Sequence, residues 1–173
     1  MPEDRIEAVI RHYNRHRRSR IDDEARWFRS QPTLRDAISS AALAKGPNGL
    51  RLDHQRRLRS PDLRRAEEAL LAVEGQFAIC TVFEELHSVV LRAVRQIWKD
   101  PELYVYDTAL RIGAKLGIKP ERVYLHRGTR SGAQKLGLDV RRGILEMSAL
   151  PEELRGLEAT EVEDILCIYK DKF

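Results

Sequence analysis

The sequence predicts a mainly α-helical fold, a single compact multi-helix domain over residues 1–173, and three observations carry that expectation. Apolar residues recur at i, i+3, i+4 and i+7 rather than at every second position, cap-plus-proline signals open the segments, and glycines close them. The chain is 42% hydrophobic and 34% charged with 10 Gly and 7 Pro, which excludes collagenous and low-complexity classes. Its 173 residues suffice for a buried core without disulfides.

Ile6, Val9, Ile10 and Tyr13 share one face of a first helix, from about Glu3 to Arg17. A second, short helix carries the aromatic pair Trp27 and Phe28, expected in the core. Thr33 with Asp36 makes a capping-box pattern opening a third helix that buries Leu34, Ala37, Ile38 and Ala41, and Lys45-Gly-Pro-Asn-Gly49 breaks it. Ser60-Pro61-Asp62 opens a fourth, through Leu63, Ala66, Leu70 and Val73, ended by Gly75. Thr81 and Glu84 cap the expected central helix, Leu86 to Ile97, with His87 on its polar side. Asp100-Pro101 starts the next, through Leu103, Tyr106, Leu110 and Ala114, to a stop at Gly117. Val123, Tyr124 and Leu125 fit a helical turn or a short strand, with the helical turn preferred. Thr129 to Leu136 is a short helix stopped by Gly137, and Thr160 with Glu163 caps a last one bearing Val162, Ile165, Leu166 and Tyr169. The segments Arg111 to Ile118 and Arg130 to Leu138 echo each other through a shared Lys-Leu-Gly ending, which reads as common helix-stop grammar rather than a repeat architecture. The loop from Lys45 to Leu52 offers the one internal boundary, a subdivision into 1–48 and 49–173.

Cys80 and Cys167 stand outside any Cys-x-x-Cys pair or zinc-spaced Cys/His cluster, so no disulfide and no metal is expected, and no cofactor motif is present. Their apolar neighbours Ile79, Leu166 and Ile168 favour buried structural thiols over a nucleophile. The first residues lack a basic region followed by an apolar run, and no apolar stretch approaches the ~20 residues of a membrane span, which predicts a cytoplasmic protein with no membrane partner. Basicity is concentrated early: residues 1–73 hold 16 Lys/Arg against 11 Asp/Glu, and residues 74–173 hold 15 against 16. Five arginines fall between Arg11 and Arg20, where they suit either phosphate or pairing with Asp22, Asp23 and Glu24.

Two stretches suggest anion chemistry. In His126-Arg127-Gly128-Thr129-Arg130-Ser131-Gly132 a glycine-containing turn feeds a helix N-terminus, whose unpaired N–H groups and dipole suit an anion. Gly128 admits a phosphate oxygen, Thr129 and Ser131 offer hydroxyls, and Arg127 and Arg130 offer charge; the competing reading is an ordinary helix start capped by Thr129. The spacing is not that of a nucleotide-cradling P-loop. Upstream, His54 and Gln55 suit base edges or phosphates while Arg56, Arg57 and Arg59 neutralise charge.

The segment Tyr106-Asp-Thr-Ala-Leu-Arg-Ile-Gly-Ala-Lys-Leu-Gly117 resembles the catalytic-aspartate segment of helix-hairpin-helix DNA glycosylases of the endonuclease III type. The resemblance spans about a dozen residues and implies a helix-hairpin-helix-like C-terminal half. It also implies that Asp107 stabilises the sugar cation as a flipped base departs, with Arg111 at the family's basic position. Departures are clear: no glycine hairpin precedes Asp107, where Lys99-Asp-Pro-Glu102 stands, and the catalytic lysine and four-cysteine cluster of some members have no counterpart. The combination of residues 54–57, 106–111, 123–126 and 163–170 also resembles a family of bacterial proteins for which no activity is implied. Independently of resemblance, Asp107 and Arg111 stand four apart and suit a helix ion pair, and Glu163 and Asp164 suit favourable charge at a helix N-terminus. The leading expectation is nucleic-acid binding, DNA before RNA, with glycosylase-like base excision through Asp107 as its enzymatic form. The alternative is a non-catalytic helical interaction protein.

Overall fold

The computed structural model describes the backbone of residues 2–173 and the side chains of residues 5–53 and 55–173; the expectation placed on the His54 side chain lies outside the described residues. The fold is mainly helical. The helices are α1 (Pro2–His16), α2 (Arg18–Arg29), α3 (Leu34–Ala42), α4 (Ser60–Leu71), α5 (Glu74–Ala78), α6 (Phe83–Val94), α7 (Glu102–Leu116), α8 (Arg127–Lys135), α9 (Glu152–Arg155) and α10 (Ala159–Ile168). Two short strands, β1 (Val123–Tyr124) and β2 (Ile144–Leu145), and single 3-10 turns at Asp53–Gln55 and Met147–Ala149 complete it. Contacts divide the chain into two units, residues 1–21 with 120–173 and residues 22–119, and the 45–52 loop lies inside the second.

In the unit of residues 22–119, α7 is the most enclosed element: Tyr104 through Ala109 and Arg111 through Gly113 are all buried. α3 and α6 pack against it, and α4 packs on both. Phe28, Ile38, Leu63, Phe77, Phe83 and Leu86 fill the interior with no more than 1% exposure, and the Tyr104 hydroxyl donates to the Ala42 carbonyl at 2.8 Å. The expected centre is α6, but α7 carries the longer buried stretch. The expected Thr33–Asp36 box forms, with Asp36 N–H on the Thr33 hydroxyl at 3.1 Å and the Asp36 carboxylate accepting from Thr33 N–H at 3.1 Å. At the start of α6 the expected box shifts by a residue, since Glu85 rather than Glu84 accepts from the Thr81 N–H at 2.7 Å. Gly75 sits inside α5 rather than ending α4, which closes at Ala72.

In the unit of residues 1–21 and 120–173, α1 contributes Ile6, Val9 and Tyr13 to a core shared with Val123, Leu125, Leu150, Leu154, Val162 and Ile165. The preferred helical turn at Val123 to Leu125 is corrected to a strand: Val123 pairs with Leu145 and Tyr124 with Ile144, antiparallel, because the partner edge arrives from about twenty residues downstream. The Thr160–Glu163 cap is corrected to Glu158 with Glu161, the Glu158 N–H donating to the Glu161 carboxylate at 2.9 Å, while Glu163 turns into the interior. Gly117 (φ 75°) and Gly137 (φ 73°) end their helices in the left-handed conformation that L residues rarely adopt, with Ile118 N–H returning to the Gly113 carbonyl and Leu138 N–H to that of Ala133.

Candidate functional site

Within residues 22–119 two stretches singled out by sequence meet. Gln55, only 1% exposed, donates from Nε2 to the Asp107 carboxylate, and its Oε1 accepts from Arg111 Nη2 at 3.1 Å. Arg111 Nη2 also lies 3.8 Å from Asp107 Oδ2, its Nε donates to Glu24 at 2.9 Å, and its guanidinium stands 5.9 Å from the Phe28 ring centroid. Arg111 Nη1 is enclosed and has no hydrogen-bond partner among the described residues. The side-chain amide of Gln55 thus bridges both members of the i, i+4 pair, satisfying polar groups whose burial alone would be costly. Asp107 is 7% exposed, and its Oδ2 faces both the Gln55 amide and the Arg111 guanidinium.

The same contacts fix the loop carrying Gln55. Lys45 and Arg51 form a β-bridge and Leu52 N–H donates to the Ala44 carbonyl at 2.7 Å. Arg51 donates to the Leu58 carbonyl at 2.6 Å and to the Ser60 hydroxyl at 3.0 Å. Loop 51–59 is therefore held at its ends by Arg51 and in its middle by Gln55. Arg56, Arg57 and Arg59 project from it, exposed, and none forms an ion pair among the described residues.

The turn at 126–132 is built differently from a phosphate cradle. His126, not Thr129, is the N-cap of α8: the Gly128 N–H meets its Nδ1 at 3.2 Å. His126 Nε2 contacts the Glu163 carboxylate, and the fully buried Thr129 hydroxyl donates to Glu163 at 2.7 Å and lies 2.7 Å from the ring. Arg130 donates to the Leu125 carbonyl at 2.8 Å; Arg127 is exposed and Ser131 half-buried. The glycines serve packing of α8 on α10: a Cβ at Gly132 would stand 2.1 Å from the Leu166 carbonyl oxygen, and one at Gly128 2.7 Å from Cys167 Sγ.

Glu163 and Cys167 stand one helical turn apart on α10 and both face His126, so imidazole, carboxylate and thiol place their ligand atoms within 4.8 Å of one another. Burial opposes a charged imidazole, but hydrogen bonds to Cys167 and Glu163 and the charge of those groups raise the His126 pKa to about 10. The sequence points to His126 as a site residue, but its local patterns place Cys167 among structural thiols and Glu163 at a helix cap. The signal that finds them is the Glu-x-x-x-Cys spacing, which sets both side chains on one face of a helix. Comparison of the chain with protein-family models, with curated proteins and with solved structures gives no match. No helix among the described residues is long and apolar enough to cross a membrane.

Proposed function

We propose that this protein binds nucleic acid through the phosphate backbone, using the arginines displayed by loop 51–59. The observation that carries the reading is the exposure of Arg56, Arg57 and Arg59 without ion-pair partners among the described residues, on a loop whose buried foot is Gln55. Residues 51–65 hold six Arg against two Asp, a local excess of positive charge. Guanidinium groups bond phosphate bidentately, and a loop already held in shape loses little conformational freedom on binding. In this reading Asp107 and Arg111 are positioning residues: they hold Gln55 and through it the loop. His126, Thr129 and Gly132 point into their own unit, which leaves Arg127 as that turn's exposed cation.

The test is fluorescence anisotropy of a labelled DNA duplex, and of an RNA of the same length, with wild type and with R56A/R57A/R59A. The reading expects measurable affinity at low salt that the triple variant loses by at least about tenfold for three lost phosphate contacts. Affinity absent at low salt, or equal in both proteins, contradicts it. A duplex carrying damaged bases, probed for abasic sites, tests the glycosylase form: activity that Asp107→Asn abolishes while duplex affinity is unchanged would move Asp107 from positioning to catalysis.

A further inference from the structure

Glu163 is a carboxylate 6% exposed whose ionic partner among the described residues is the His126 imidazole, itself 4% exposed, with a hydroxyl and a thiol beside them. Buried charges are ordinarily paired or coordinated to metal. The three groups come from two elements packed directly on each other: Glu163 and Cys167 from successive turns of α10, and His126 from the start of α8. Nitrogen, oxygen and sulfur within 4.8 Å of one another make a mixed donor set of the kind borderline-soft divalent ions take.

We propose that His126, Glu163 and Cys167 form a binding site for one thiophilic divalent cation of the zinc class. In a tetrahedral zinc site, bonds of about 2.0–2.3 Å set the donors roughly 3.5 Å apart, so closure here takes side-chain movements of about an ångström. The cation takes the place of the proton that His126 otherwise holds, and thiolate, carboxylate and neutral imidazole around a divalent ion then sum to zero charge, which suits so enclosed a position. Gly128 supplies the room: any Cβ there would press on Cys167 Sγ at 2.7 Å and on His126 Cε1 at 3.3 Å. The Thr129 hydroxyl, bonded to Glu163, orients the carboxylate from the outer shell. Three protein ligands leave the fourth position for water or another small donor, and half-buried Cys167 marks the side from which it enters.

The experiment titrates the full, metal-free, reduced chain with Co²⁺. The proposal expects a thiolate-to-cobalt charge-transfer band in the near ultraviolet and d–d bands in the visible. Both should saturate at one ion per chain and be displaced by Zn²⁺. Cys167→Ser removes the charge-transfer band, whereas Cys80→Ser keeps it. Thr129→Val, which leaves all three ligands in place, weakens Zn²⁺ binding by about tenfold. Should Cys167→Ser fail to fold, the wild-type and Cys80→Ser titrations decide. No saturable band in wild type, or a band that Cys80→Ser abolishes, overturns the proposal.

Discussion

At the scale of single residues, Gln55 and Arg111 bear the most weight in the unit of residues 22–119. Arg111→Ala removes the cation facing buried Asp107 and leaves Gln55 Oε1 without its donor. It is expected to lower unfolding free energy in urea by about 3 kcal/mol. Gln55→Ala removes neutral partners of the same charges and costs about 1–2 kcal/mol; the double variant should lose less than the sum, since the two share one network. Additive losses would mean that Gln55 and Arg111 act independently. The i, i+4 pair of Asp107 and Arg111 is legible in the sequence because it is local. The contributions of Gln55 and Glu24 are not, since both reach α7 from distant positions. His87 was expected on the polar side of its helix and is half-buried near the Phe83 ring. Burial lowers its pKa below the ordinary 6.5, with Glu84 opposing. The unfolded chain therefore takes up this proton first as pH falls. The contribution of neutral His87 is complete above about pH 6.5 and declines below it, by at most about 1.4 kcal/mol per pH unit. Stability measured in urea across that range should show this slope in wild type and a flatter one in His87→Gln.

At the scale of elements, the junction of α8 with α10 depends on glycine. Gly132→Ala places a Cβ against the backbone carbonyl of Leu166, which cannot swing aside as a side chain can. The expected result is a loss of about 2 kcal/mol or more and a lowered Tm. Gly137→Ala meets no neighbour and pays only for its left-handed φ, about 1 kcal/mol, so the two substitutions separate packing from backbone strain. Both stop glycines were readable because a Leu-Gly ending carries its own conformational reason. The α10 cap was misread since Thr160–Glu163 and Glu158–Glu161 share a spacing; what selects between them is that Glu163 faces His126, a tertiary fact. The β1 strand was likewise hidden, because three apolar residues have no period of their own and the pairing comes from Ile144 and Leu145.

At the scale of the whole molecule, helical class followed from periodicity and capping, whereas the joining of α1 with residues 120–173 has no local signature. The early concentration of arginine was visible in composition, but which arginines stand free of partners is set by folding. Arg18 pairs with Glu161 at 2.8 Å and Arg11 with Glu7 at 3.3 Å, while Arg56, Arg57 and Arg59 form no ion pair among the described residues. That distinction makes loop 51–59 the center of the functional account. The most direct measurement is duplex-DNA affinity as a function of salt, for wild type and for R56A/R57A/R59A. Each phosphate contact contributes a slope of about −0.9 in log affinity against log salt, so the account predicts a shallower slope in the triple variant by roughly 2–3 units. An identical slope in the two proteins would contradict it.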